Sequence, residues 1–222
     1  MRRHFEEQIA ECNARLAHMG AVAERMIGKS IQCLLDRSAA GHDEVFRHED
    51  EINRLHIEID ERVISSLALQ HPVATDLRLL VMATKIAGEL ERIGDQAVNI
   101  CQNTATLLQH PPAEVLTNIP EMADLVREML RESLEAFGRR DVELAQKVLD
   151  ADDKADDFKD QIFFQLLGNM MTDPAVIPRA LALILVARNL ERVADHATNI
   201  AEEVIYAVQG RDVRHHHEDA EQ

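Results

Sequence analysis

The residues best suited to chemistry in this 222-residue chain are acidic, and they come in repeated sets. Glu91, Asp95 and Asn99 follow one another at i, i+4 and i+8, and so do Glu191, Asp195 and Asn199. That spacing puts three oxygen-bearing side chains on one face of a helix. Two like charges at i, i+4 cost a helix a few tenths of a kcal/mol, so something must offset them. Arg92 and Arg192, each three residues before an aspartate, and Arg188, three before Glu191, offer intrahelical pairing. On these segments alone, such pairing accounts for the carboxylates as well as a metal does.

Further acids upstream favour the metal. Glu49, Asp50 and Asn53 precede Pro72, while Asp152, Asp153 and Asp156 precede Pro174. If a turn at each proline reverses the chain, the acids on either side meet at one height. Asp50 lies 22 residues before Pro72 and Glu91 and Asp95 lie 19 and 23 after it, about 33 Å against about 28 to 35 Å of helix. Asp153 is 21 residues before Pro174, and Glu191 and Asp195 are 17 and 21 after it, about 31 Å against about 26 to 32 Å. Carboxylates level on adjacent helices repel unless cations stand between them, so one metal site per half is expected rather than a merely solvated face. Carboxylate and amide oxygens, with no thiolate nearby, suit Mg, Mn, Ca or Fe better than structural Zn. His56 and His196 are expected to point away from the acidic faces, and His215-His216-His217 lies in a polar tail with no assigned role.

The elements that carry these residues are helices. Apolar residues recur at helical spacing, as in Leu16, Met19, Val22, Met26 and again in Leu183, Val186, Leu190, Val193. Gly and Pro number only 8 and 6, and Trp is absent, which disfavours a sheet protein. Breaks fall at Gly41-His42-Asp43, with Asp43 as the expected N-cap, at Pro72, at 111–120, at Gly138 to Asp141, at Asp173-Pro174 and at Gly210. Six helical segments lie between them. The second half repeats the first: Met19, Met26, Ser30, Val45 and Asp50 recur at an offset of 103 as Met122, Met129, Ser133, Val148 and Asp153. Residues 90–100 match 190–200 at seven of eleven positions. This is a tandem duplication. The expected fold is all-α, two similar three-helix bundles packed side by side about a pseudo-twofold axis. The expected units are 1–110, a crossover at 111–120, a second bundle at 121–210 and a polar tail at 211–222.

Composition limits the partners. The net charge of −16 argues against nucleic acid, which needs a basic face, and against direct docking on anionic lipid. No apolar run approaches the roughly 20 residues of a membrane span, and the segment from Met1 to Glu7 lacks the apolar stretch of a secretory signal. Three cysteines without a close pair, Cys12, Cys33 and Cys101, read as reduced thiols of a cytoplasmic protein. Cys33, Cys101 and the methionines at i, i+7 read as core.

The paired Leu-Glu-Arg-x-x-Asp-x-Ala-x-Asn-Ile segments, residues 71–78 (HPVATDLR) and residues 210–215 (GRDVRH) resemble the PhoU family, the phosphate-specific transport system accessory proteins. The resemblance spans nearly the whole chain. It implies a dimeric, cytoplasmic regulator acting with the ATPase of the phosphate ABC transporter and with a sensor histidine kinase. Such proteins restrain uptake and hold the starvation response off when phosphate is plentiful. It also implies Fe, Zn, Mn or Mg at the acidic motifs, here Glu91, Asp95, Asn99, Glu191, Asp195 and Asn199. Glu49, Asp50, Asp152, Asp153 and Asp156 rest on the height argument alone. The second copy replaces residues 75–78 (TDLR) with residues 176–179 (VIPR), so the two halves need not offer equivalent partner surfaces.

No enzyme motif stands out. The chain has no Gly-x-x-x-x-Gly-Lys phosphate cradle and no Gly-x-Ser-x-Gly elbow. It has no Glu-x-x-His, the ligand pair of oxygen-activating di-metal bundles. A non-enzymatic adaptor is therefore expected. The alternative is a carboxylate-bridged, metal-dependent enzyme such as a phosphohydrolase, in which Mg or Mn orients phosphate and water.

Overall fold

A computed structural model describes residues 2–70, 72, 75–111, 118–211 and 213. Within them every regular element is helical: α1 (Arg2–Leu35), α2 (His42–Gln70), α3 (Thr75–Leu108), α4 (Ile119–Arg139), α5 (Val142–Asp150), α6 (Asp152–Thr172), a 3-10 turn (Pro174–Val176) and α7 (Ile177–Gln209). Most of the 111–120 crossover, residues 71, 73 and 74 of the 71–78 motif, and nearly all of the tail, including His215-His216-His217, lie outside the described residues.

Local chemistry sets several helix ends. Asp141 accepts from the Leu144 amide at 3.0 Å and so caps α5. Asp173 accepts from the Ala175 amide at 2.9 Å and heads the 3-10 turn that leads into α7. Gly210, at φ 69°, ends α7 in the left-handed region, its amide bonded to the Tyr206 carbonyl. The Arg37 guanidinium donates to the Leu107 and His110 carbonyls at 2.9 and 2.7 Å, closing the C-terminal end of α3.

Two expectations need correction. Asp43 is not an N-cap: α2 starts at His42, the Gly41 carbonyl accepts from the Val45 amide, and Asp43 sits in the first turn. The fifth segment is two helices, α5 and α6, separated at Ala151. Ala151 keeps helical angles (φ −86°, ψ −14°), so the break changes the hydrogen bonding more than the chain direction.

Helices α1, α2 and α3 pack on one another, as do α4 and α7 with α5 and α6. The two bundles join where α3 lies against α7 and α1 against α4, leaving α2 and α6 on opposite flanks. Gly20 permits the α1/α4 approach, because a Cβ there would stand 2.6 Å from the Leu134 side chain. One core runs through both halves, and the repeat is visible in it. Leu90, Ile93, Ala97 and Ile100 are fully buried, as are Leu190, Val193, Ala197 and Ile200. Ser30 and Ser133, both buried, donate to the carbonyls three residues back, Ile27 and Leu130. Met19, Met26, Met122 and Met129 are core, as are all three cysteines. Burial pushes the Cys101 thiol up to about 12 and the Cys12 thiol up to about 11, so neither is a thiolate near neutrality.

Candidate functional site

Burying positions 90, 93, 97 and 100 of α3 turns Glu91 and Asp95 outward on the same helix. The neighbouring α2 brings Glu49 to them. Burial raises the Glu49 carboxyl above the usual range, and the charges of Asp95, Asp50 and Glu91 raise it further. Glu49, Asp50, Glu91 and Asp95 make no hydrogen bond or ion pair with a described residue. Their arginine neighbour does not serve them: Arg92 donates to Glu89 at 2.8 Å, three residues back, and not to Asp95.

The second half repeats the level arrangement with a difference. Burial and the charges of Asp195, Asp156, Asp153 and Glu191 push the Asp152 carboxyl up to about 6. Burial and Glu191 also raise Asp195. Here a cation stands among the acids. The Lys159 ammonium of α6 donates to Asp156 Oδ1 at 2.6 Å and to Glu191 Oε1 of α7 at 3.2 Å. The bond to Asp156, with that to Glu191, holds the Lys159 ammonium above its usual range despite partial burial.

The helices thus place Glu49, Asp50, Glu91 and Asp95 together, and likewise Asp152, Asp153, Asp156, Glu191 and Asp195. Among the described residues, however, no three His, Cys, Asp or Glu side chains converge as a metal-holding group. The donor chemistry of the first set fits a hard cation, since none of its anionic oxygens is paired with a described residue. The second set fits it less well, because an ammonium already bridges two of its members.

Asn199 faces elsewhere. Its Nδ2 donates to Glu89 Oε2 at 3.1 Å across the α3/α7 junction, and His196 Nδ1 meets the same oxygen at 2.7 Å. The imidazole lies off the acidic face, as its position one residue past Asp195 requires. His56 stands 3.7 Å from Asp60, one turn along α2. Among the described residues the half-buried Asn99 side chain has no hydrogen-bond partner; its carbonyl accepts from Asn103.

Sequence reasoning passed over three groups: Lys159, Glu89 and the Lys85–Glu203 pair, which joins α3 to α7 at 2.8 Å. Departures from the repeat mark two of them. Lys159 replaces His56 at the offset of 103, and Glu89 is replaced by Asn189 at the offset of 100. Glu89, Lys85 and Glu203 also line a cleft of about 760 Å³ between α2, α3 and α7, whose apolar side is formed by Val63, Ile64, Leu67 and Val81.

The PhoU domain model matches residues 16–104 and again residues 119–204. A phosphate-specific transport system accessory protein PhoU homolog of Pseudomonas putida is 35% identical over 95% of this chain and 83% of its own length. Its counterpart in Aquifex aeolicus is 36% identical over 95% of this chain and 96% of its own length. The crystal structure of PhoU from Pseudomonas aeruginosa superposes with a TM-score of 0.91, at 33% identity, over 93% of this chain and all of that one. A duplicated three-helix unit, two family matches and this superposition agree: the chain belongs to the PhoU family.

Proposed function

We propose that this chain is a regulatory accessory protein of phosphate uptake. It acts in the cytoplasm as an adaptor between the ATPase of the phosphate ABC transporter and a sensor histidine kinase, restraining both when phosphate is plentiful. The observation that carries this reading is the match of both halves to relatives named as accessory proteins of the phosphate-specific transport system. No helix among the described residues is long and apolar enough to cross a membrane.

The surface supports protein docking. Phe163, Phe164, Leu167 and Met171 of α6 are exposed, as are Leu181 and Leu185 of α7. Such a face suits a partner or the second copy of a homodimer. The acidic sets belong to the same reading. Glu49, Asp50, Glu91 and Asp95 would hold a divalent or trivalent ion such as Mg, Mn, Fe or Zn, with Asn99 one turn farther along α3. The ion would supply positive charge that ties α2 to α3 and fixes the surface they present. The role is binding, not catalysis.

Affinity capture from cells grown in high and in low phosphate tests the adaptor role. The transporter ATPase and the kinase are both expected on the bait, in proportions that change with phosphate. Absence of both under both conditions overturns it.

A further inference from the structure

The two acidic sets differ in the cations beside them. In the α6/α7 set, Lys159 bridges Asp156 and Glu191, linking the two helices through a single ammonium. Its side chain is 30% exposed and Glu191 is 21% exposed, so the bridge is partly withdrawn from solvent. Arg188 lines the same small cleft beside Lys159 and Glu191. In the first half all three differences run the other way. Position 56 is His, turned toward Asp60; position 53 is Asn where the second half has Asp156; position 88 is Gly where the second half has Arg188. The second set therefore has one more carboxylate and two more cationic side chains close to Glu191.

We propose that Lys159 is the built-in counter-cation of Asp156 and Glu191, occupying the place between α6 and α7 that a metal would take, so that this half takes up a metal ion only when that ammonium is removed. This deepens the metal-binding reading of the acidic sets and rests on it. An ammonium and a hard metal ion seek the same oxygens. Asp156 Oδ1 and Glu191 Oε1 are occupied while they hold Lys159, and a metal among these carboxylates would stand close to a positive charge. The duplication has thus produced one half open to an external cation and one half carrying its own. A lysine tether also needs no supply of metal, so α6 stays docked on α7 whatever the ion content of the cell.

The test uses the full chain, stripped with chelator and titrated with Mn²⁺ by calorimetry, with bound metal counted after dialysis. Lys159→Met keeps the length and apolar stem of the side chain and removes its charge; Lys159→Gln serves if the first variant folds poorly. Either is expected to bind Mn²⁺ in the second half at least tenfold more tightly than the parent, seen as one additional equivalent. Adding Asp195→Asn should abolish that gain. Lys159→Arg, which keeps the charge, should show none. In chelator the Lys159→Met protein should melt lower than the parent and recover on Mn²⁺ addition. Equal Mn²⁺ binding by the parent and Lys159→Met overturns the inference. So does a parent protein whose bound metal is lost on Asp195→Asn. Failure of the first-half site is a separate outcome: the parent would bind no Mn²⁺ while Lys159→Met still gained one equivalent.

Discussion

Breaking the Glu89–His196 contact should separate a buried hydrogen-bonded carboxylate from a surface ion pair of equal length. The Glu89 carboxylate meets His196 Nδ1 at 2.7 Å and Asn199 Nδ2 at 3.1 Å, and Glu89 and His196 are each only 13% exposed. Arg139 and Glu135 also stand 2.7 Å apart, but at 69% and 31% exposure. A pair as open as the second contributes roughly 0.2 to 1 kcal/mol. Charge-assisted bonds withdrawn from solvent contribute roughly 1.5 to 3 kcal/mol, and truncating one partner leaves the others unsatisfied. Glu89→Ala should therefore cost about 2 to 3 kcal/mol, which for a chain of this size lowers the melting temperature by about 5 to 10 °C. Urea unfolding of Glu89→Ala, His196→Ala and the double variant should give a coupling energy of about 1.5 kcal/mol. Arg139→Ala with Glu135→Ala should give less than about 0.5 kcal/mol. Burial pushes the Glu89 carboxyl up, but the bonds from His196 and Asn199, with the nearby charges, bring it below 4.5. A lowered carboxyl stabilises the fold above its unfolded value and loses that contribution as pH falls through the folded one. The coupling should thus persist from pH 6 to 8 and vanish in acid. Equal coupling for the buried and exposed pairs would refute the reasoning.

Two other expectations follow from the same geometry. Asp152, pushed up to about 6 from 3.8, loses stability for the fold as pH rises through that range. A shift of about 2 units is worth about 3 kcal/mol at most, and partial solvent access reduces it to about 1 kcal/mol. In chelator, Asp152→Asn should therefore raise the melting temperature by about 2 to 4 °C at pH 8 and leave it unchanged at pH 3.5. Phe164→Asp with Met171→Asp, at side chains 66% and 81% exposed, should keep the melting temperature within about 2 °C. The same double variant should abolish capture of the transporter ATPase and the kinase.

Much of this arrangement is legible in the sequence because its causes are local. Asp141, Asp173 and Gly210 mark helix ends through their own side chains or backbone angles, and the offsets of 100 to 103 disclose the duplication directly. The level placement of the acids follows from counting rise per residue on either side of Pro72 and Pro174. The break at Ala151 is illegible, since alanine is the best helix former and carries no signal for an end. Asp43 misleads because a carboxylate in the first turn and one at the cap look alike in sequence. Asn199 is read as a ligand from its spacing, whereas its partner Glu89 lies 110 positions away and is brought near only by the α3/α7 packing. Lys159 reads as one surface lysine on an acid-rich helix, and only the docking of α6 on α7 joins it to Glu191.

Elemental analysis of untagged protein purified without chelator tests the central claim most directly, with Asp95→Ala and Asp195→Ala beside the parent. The expected result is stoichiometric metal in the parent, its loss in Asp95→Ala and its retention in Asp195→Ala. Metal that survives Asp95→Ala, or a parent that carries none, would contradict it.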